Sequence, residues 1–187
     1  QTLTELMNDF LSLGRLEEGQ VKVVYSSVEL KGFLAETVSE LHGLAKRGQE
    51  IHLHFGGVET TIITDRQMLT NILRNLVSNA VKYSFEGSRI DVHAEVDERE
   101  LILSVSDQGM GIPQQEQSEI FKRFYRAENA TNIQGTGLGL NIVKKYVNLL
   151  KGSISFKSMV DEGTTFTVHL PVKELQPSMK STNLYDL

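Results

Sequence analysis

The chain has 187 residues, ordinary apolar content and three prolines, which suits one folded domain with an appendage and excludes a low-complexity chain. A net charge of −5 argues against nucleic acid as the main partner, because phosphate backbones are held by basic patches. The absence of cysteine excludes disulfides and thiol chemistry, and no apolar run is long enough to span a bilayer.

Residues 2–16 carry Leu3, Leu6, Phe10 and Leu13 as an a/d-like seam, with Met7 and Leu11 beside it. A helix with that seam needs a partner. It also starts without a cap, so the expectation is that the numbered chain begins inside a longer helical element. Residues 17–20 read as a linker between glycines. β-Branched pieces follow, with an edge strand at 28–30. A helix is then expected over 31–46, with Phe33, Leu34, Val38, Leu41 and Leu44 inward. Strands at 51–55 and 60–64 are expected to turn at Gly56-Gly57. The run from Thr64 to Gln67 is a capping-box pattern that starts the next helix.

That helix, residues 65–83, organises the rest. Leu69, Ile72, Leu73, Leu76, Val77 and Ala80 recur at helical spacing and predict a core face. Asn71, Asn75, Asn79 and Lys82 form one polar stripe along its edge. Amide oxygens can ligate a hard cation such as Mg²⁺, and lysine can neutralise phosphate. Taken alone, the stripe reads equally as the solvated face of an amphipathic helix.

Downstream, strands are expected at 89–95 and 101–105, a short helix at 117–124 and a polar lid at 125–136. A helix at 138–150 and strands at 153–158 and 164–170 close the domain, and residues 173–187 read as a loosely held tail. Two glycine-bearing motifs stand out. Asp107-x-Gly109-x-Gly111 ends a strand, where a carboxylate can accept from an exocyclic amine while glycines admit a flat ring. Gly135-x-Gly137-x-Gly139 opens a helix, whose first N–H groups and positive dipole end suit an anion. No strand precedes it, as a dinucleotide fingerprint requires, and it lacks the Gly-Lys-Ser/Thr of a Walker A loop.

An Asn helix, Asp-x-Gly-x-Gly, Phe121-x-x-Phe124, Gly-x-Gly-x-Gly and Gly163-Thr-x-Phe166, in this order, resemble the catalytic and ATP-binding domain of sensor histidine kinases. The likeness covers about residues 28–172. It implies an α+β fold, a two-layer sandwich (the Bergerat ATP-binding fold) of three helices on a mixed, mainly antiparallel sheet, with an N-terminal helix from a helical hairpin. It implies three segments: 1–20 as hairpin helix and linker, 21–172 as kinase domain and 173–187 as tail. ATP and Mg²⁺ are the implied cofactors.

By the same resemblance Asn79 matches the Mg²⁺ ligand, and Asn75 the amide beside it. Lys82 and Tyr83 match phosphate and ribose-side contacts. Asp107 matches the adenine-reading carboxylate, with Gly109, Gly111 and Ile112 around it. Arg126, and after it Arg123, matches the basic group near the γ-phosphate. Phe124 falls within the matching aromatic box, whose aromatics are expected to anchor the lid. Gly135, Thr136, Gly137, Leu138, Gly139 and Leu140 match the phosphate-side hinge, and Thr165 a position near the adenine edge. Asn75, Lys82 and Arg126 carry the implied catalysis. Hydrolytic relatives hold Glu where this chain has Asn75, and an amide cannot serve as that base. The resemblance therefore favours transfer to a side chain over two alternatives, an ATPase that drives conformational change and a non-catalytic nucleotide module.

None of His42, His52, His54, His93 or His169 has the sequence context of a phosphoacceptor, and all five read as ordinary surface histidines. The acceptor is therefore expected upstream, on the first helix of the hairpin. The implied partners are that histidine-bearing hairpin, a response-regulator receiver domain and a second copy of the parent. No nucleic acid and no membrane contact are expected of this piece. The implied location is cytoplasmic, on a parent that can be membrane-anchored.

Overall fold

The computed structural model describes residues 3–56, 61–97 and 99–172. The tail at 173–187, the turn residue Gly57, Thr60 and the side chains of Leu3 and Leu6 lie outside the described residues. Eleven helices and strands run α1 (Leu3–Glu17), β1 (Ser26–Glu29), α2 (Leu30–Leu41), β2 (Glu50–Gly56), β3 (Thr61–Thr64), α3 (Arg66–Tyr83), β4 (Arg89–Val96), β5 (Glu100–Asp107), α4 (Gly139–Leu149), β6 (Ser153–Met159) and β7 (Gly163–Pro171).

Strands β2-β4-β5-β7-β6 form one sheet, parallel between β2 and β4 and antiparallel elsewhere. Alternation along each strand decides which face is covered. Ile90, Val92, Ala94, Leu101, Leu103, Val105, Phe166 and Val168 are buried under α2, α3 and α4. The helices meet that face with their own stripes. In α3 the inward residues are Leu69, Ile72, Leu73, Leu76, Val77 and Ala80, as the periodicity predicts. The expected two-layer sandwich is thus the observed one.

Five expectations are corrected. The segments at 51–55 and 60–64 do not pair as a hairpin. β2 joins β4, whereas β3 pairs with β1 in a separate two-stranded sheet. Buried Val28 lies opposite buried Ile62 there, so an apolar contact across a long loop outweighs chain proximity. The edge strand ends one residue early, because Glu29 caps α2 by accepting from the Lys31 and Gly32 N–H groups at 2.9 and 2.8 Å. α2 itself stops at Leu41, a 3₁₀ turn follows, and Leu44 is exposed. Residues beyond it are used otherwise. Lys46 Nζ donates to the Lys82 and Ser84 carbonyls, both at 2.7 Å, and Gln49 Nε2 to those of Val81 and Phe85. These side chains satisfy the open carbonyl end of α3.

The capping residue of α3 is Asp65, not Thr64. Asp65 is buried, accepts from Met68 N–H at 2.9 Å and from Val24 N–H at 2.7 Å, and so ties the β1 approach to the helix start. Finally, no regular helix forms at 117–124. A 3₁₀ turn at Gln114–Glu116 gives way to further turns. The local backbone is held by side chains instead. Asn141 donates to Phe121 O at 2.8 Å, and Gln117 donates to the Ile112 and Ser158 carbonyls.

Candidate functional site

A cleft opens between the helix layer and the segment joining β5 to α4. Asn79, Tyr83, Asp107, Met110, Gly111, Ile112, Ile120, Tyr125, Arg126, Ala127, Asn129, Ala130, Leu140, Thr164 and Phe166 line it. Two short connections bring its walls together. Met110 N–H donates to Tyr83 O at 3.2 Å, and Ser84 bridges to Gly109, so the end of α3 lies against the loop after β5.

Asp107 is the floor. Burial pushes its carboxyl up to about 6, against the Gly109 and Thr164 N–H groups and the Ser84 hydroxyl, which favour the ionised form. Tyr83 is raised by the same burial, opposed by the positive charge of Arg126. Gly111 has φ +63° and a Cβ there would strike the Met159 backbone, so only glycine lets the loop turn under β6.

The phosphate-side motif behaves as a helix start. The residue before α4, Leu138, provides no side-chain cap, and its own N–H donates to Thr136 Oγ1 at 3.1 Å. Gly139 packs against α3, where a Cβ would lie 2.8 Å from Asn75 Oδ1. Gly135 abuts Lys82 Nζ and Gly137 the Phe124 backbone. Asn75 thus stands behind the glycine turn, its Nδ2 donating to Asn71 O at 2.8 Å. Asn79 faces the cleft. Two side-chain amides beside an uncapped helix N-terminus are a donor set that fits a hard cation with polyphosphate.

The lid is held by two networks. Glu116, buried, accepts from Tyr125 OH at 2.7 Å and from Glu128 N–H at 2.9 Å. That bond, with burial and the surrounding carboxylates, pushes the Tyr125 phenol up to about 12. Arg126 donates through Nη2 to the carbonyls of Ala130, Thr131 and Ile133. Its Nε is buried and without a hydrogen-bond partner beside the cleft.

Three residues expected at the site lie elsewhere. Arg123 forms an ion pair with Glu17 of α1 at 2.5 Å, alongside Lys145 at 3.2 Å. Phe124 has φ +58° and is exposed, so of the two aromatics only Phe121 anchors the lid, against Phe156 and Phe166. Thr165 points to the outer face and bonds Ser106 at 2.8 Å, and its neighbour Thr164 faces the cleft. The displacement follows from strand alternation, one residue being one face. Sequence reasoning missed Thr164, Glu116, Tyr125 and Asn129. A capping-type Glu after Pro113 was the only available signal.

An α/β sandwich with an aspartate-floored cleft between its helix layer and a lid, and a glycine-rich helix start at its rim, is the architecture that the sequence resemblance implies. Residues 64–174 match the family described as histidine kinase-, DNA gyrase B-, and HSP90-like ATPase, and the chain belongs to that family. It is 32% identical over 180 residues to sensor histidine kinase WalK of Bacillus subtilis (strain 168), a match covering 94% of this chain and 30% of WalK. The chain therefore spans less than a third of that relative. Full-length ShkA in complex with AMPPNP superposes with a TM-score of 0.82 at 27% identity, over 92% of this chain and 36% of ShkA. The mycobacterial sensor histidine kinase MprB does so with a TM-score of 0.68, also at 27% identity, over 81% of this chain and 100% of MprB. Among the described residues no helix is long and apolar enough to cross a membrane.

Proposed function

We propose that this chain is the kinase core of a two-component sensor, moving the γ-phosphoryl of ATP to a histidine on a dimerisation hairpin. The observation that carries it is the placement of Asp107 on the cleft floor opposite Asn79, with Asn75 where hydrolytic relatives hold Glu. Residues 1–20 form the end of the hairpin and a linker, 21–172 the catalytic domain and 173–187 a tail. The parent works as a homodimer in the cytoplasm or on a membrane, and its second partner is a response-regulator receiver domain.

Ionised Asp107 accepts the adenine exocyclic amine, with Ile112 and Leu140 against the ring and Thr164 supporting the carboxylate. Tyr83 closes the ribose side. Asn79 would hold a Mg²⁺ ion, and Asn75 steadies the glycine turn beside it. The ion would supply charge neutralisation at the phosphates. The first N–H groups of α4 and Lys82 cradle the anion. Arg126 leaves its lid carbonyls as nucleotide enters and turns toward the γ-phosphate. The incoming imidazole nitrogen forms the new P–N bond as the bond from γ-phosphorus to the bridging oxygen breaks, and ADP departs. Positioning and charge neutralisation carry the rate, because Asn75, an amide, offers no base for water.

Exposed Met7, Phe10 and Leu11 on α1, facing Phe124, support a hairpin partner, since an apolar stripe of this size favours a second helix. Incubation with γ-labelled ATP, with and without a separately supplied His-bearing hairpin, tests the reading. Acid-labile, base-stable label on the hairpin is expected. Steady phosphate release without any acceptor favours the hydrolase reading instead.

A further inference from the structure

Four of the histidines left over from the kinase reading lie on the outer face of the sheet, away from the nucleotide cleft, and three of them, His52, His54 and His93, form one patch. His54 of β2 and His93 of β4 are register partners, and His52 lies opposite Asp91. Ile90, Val92 and Ala94 are buried under the helices, so Asp91 and His93 project from the opposite side. The two imidazoles of His54 and His93 stack with centroids 4.3 Å apart at 14°. His54 Nε2 lies 2.8 Å from Asp91 Oδ1. One ligand atom from each of His54, Asp91 and His93 falls within 4.8 Å of the others.

We infer that His54, His93 and Asp91 bind a divalent transition-metal ion, of which Zn²⁺ is the representative. Two imidazole nitrogens and one carboxylate oxygen are a borderline donor set, which favours Zn²⁺, Ni²⁺ or Cu²⁺ over the all-oxygen preference of Mg²⁺. Tetrahedral ligation at about 2.0–2.1 Å brings two nitrogens to roughly 3.3 Å, a closure that side-chain rotation on an exposed face supplies. The backbone cost is small, because β2 and β4 already hold both histidines side by side. His93 makes no hydrogen bond to another described residue, and its ring nitrogens are open to a ligand. Water completes the fourth position.

The neighbouring charges set the competition. Arg89 Nη2 lies 2.6 Å from Asp91 Oδ1 and 3.2 Å from His54 Nε2, so its guanidinium holds the same two groups the ion needs. Its side chain is about half exposed and can swing into solvent. His52 stacks on His54 at 6.4 Å and pairs with Glu50 at 2.9 Å, which puts a carboxylate and a third imidazole at the edge of the patch. The ion would clasp edge strand β2 to β4.

Titrating the 187-residue chain with zinc chloride, without nucleotide and against a chromophoric zinc indicator, tests the site. One zinc per chain with micromolar affinity is expected, undisturbed by millimolar Mg²⁺. The double variant His54→Ala/His93→Ala weakens binding at least about tenfold, as does Asp91→Asn. Arg89→Ala tightens it severalfold by removing the competing cation. His169→Ala leaves it unchanged, although His169 also pairs with a carboxylate, Glu100, at 3.1 Å. Zinc raises the Tm of the wild type and not of the double variant, whose zinc-free Tm checks that it folds. Equal zinc affinity in wild type and double variant, or loss of binding in His169→Ala, overturns the site.

Discussion

In the proposed function Asp107 couples burial to recognition. Burial lifts its carboxyl from 3.8 to about 6, while reading an amine requires the ionised form. On the proposed function, nucleotide affinity should therefore be full well above pH 6 and fall as pH drops through that value, about tenfold per unit once the proton is held. Calorimetric titration with an ATP analogue between pH 7.5 and 5 checks the midpoint. In the nucleotide-free chain the same shift has the opposite sign for stability. The folded state holds the proton more tightly than the unfolded state, so this group's contribution declines as pH rises from 3.8 to about 6. Asp107→Asn should cost about 10–100-fold in adenine-nucleotide affinity, the worth of one hydrogen bond to a charged group. Unchanged affinity would remove Asp107 from the site. Asn79→Ala should leave adenine binding intact and abolish Mg²⁺-dependent phosphorylation. The same variant retaining full phosphotransfer in a filter-binding assay would move the metal elsewhere.

Among the elements, the segment from β5 to α4 is held by side chains more than by its own backbone. Glu116 is the pin, since one buried carboxylate takes both the Tyr125 hydroxyl and the Glu128 N–H. Glu116→Ala leaves both donors without that acceptor, at a cost of about 1–3 kcal/mol to local order. Amide exchange across 125–131 should accelerate at least tenfold while the amides of α3 and β5 keep their protection. Equal acceleration in α3 would mean that the domain opens as a whole. The expected helix at 117–124 failed here for a physical reason. Its apolar residues have helical spacing, but Ile120 and Phe121 are drawn to the core by the cleft and the aromatic cluster, not by a helix face. The cap on the far end of α3 was equally hidden, because Lys46 and Gln49 precede Lys82 by over thirty positions.

At the scale of the whole molecule, α1 reaches the domain through few contacts. Leu13 is buried against it, and Glu17 takes ion pairs from Arg123 and Lys145. Leu13→Ala should cost about 2–4 kcal/mol of docking free energy, most of it local to α1. Hydrogen exchange in α1 should then rise with little change in the melting of the sheet. A loss of the whole domain's Tm by the same measure would make α1 part of one cooperative unit.

Periodicity by itself determined the core face of α3 and the two glycine turns, and the order of the motifs carried the family likeness that implied the α+β sandwich, because each motif rests on spacing within a short stretch. Which strands pair, which face Thr165 takes, where Arg123 and Phe124 point, and how two strand histidines meet an aspartate were decided only by the tertiary structure. Those outcomes come from contacts between residues far apart in the chain, where burial and charge compete and no local pattern records the winner.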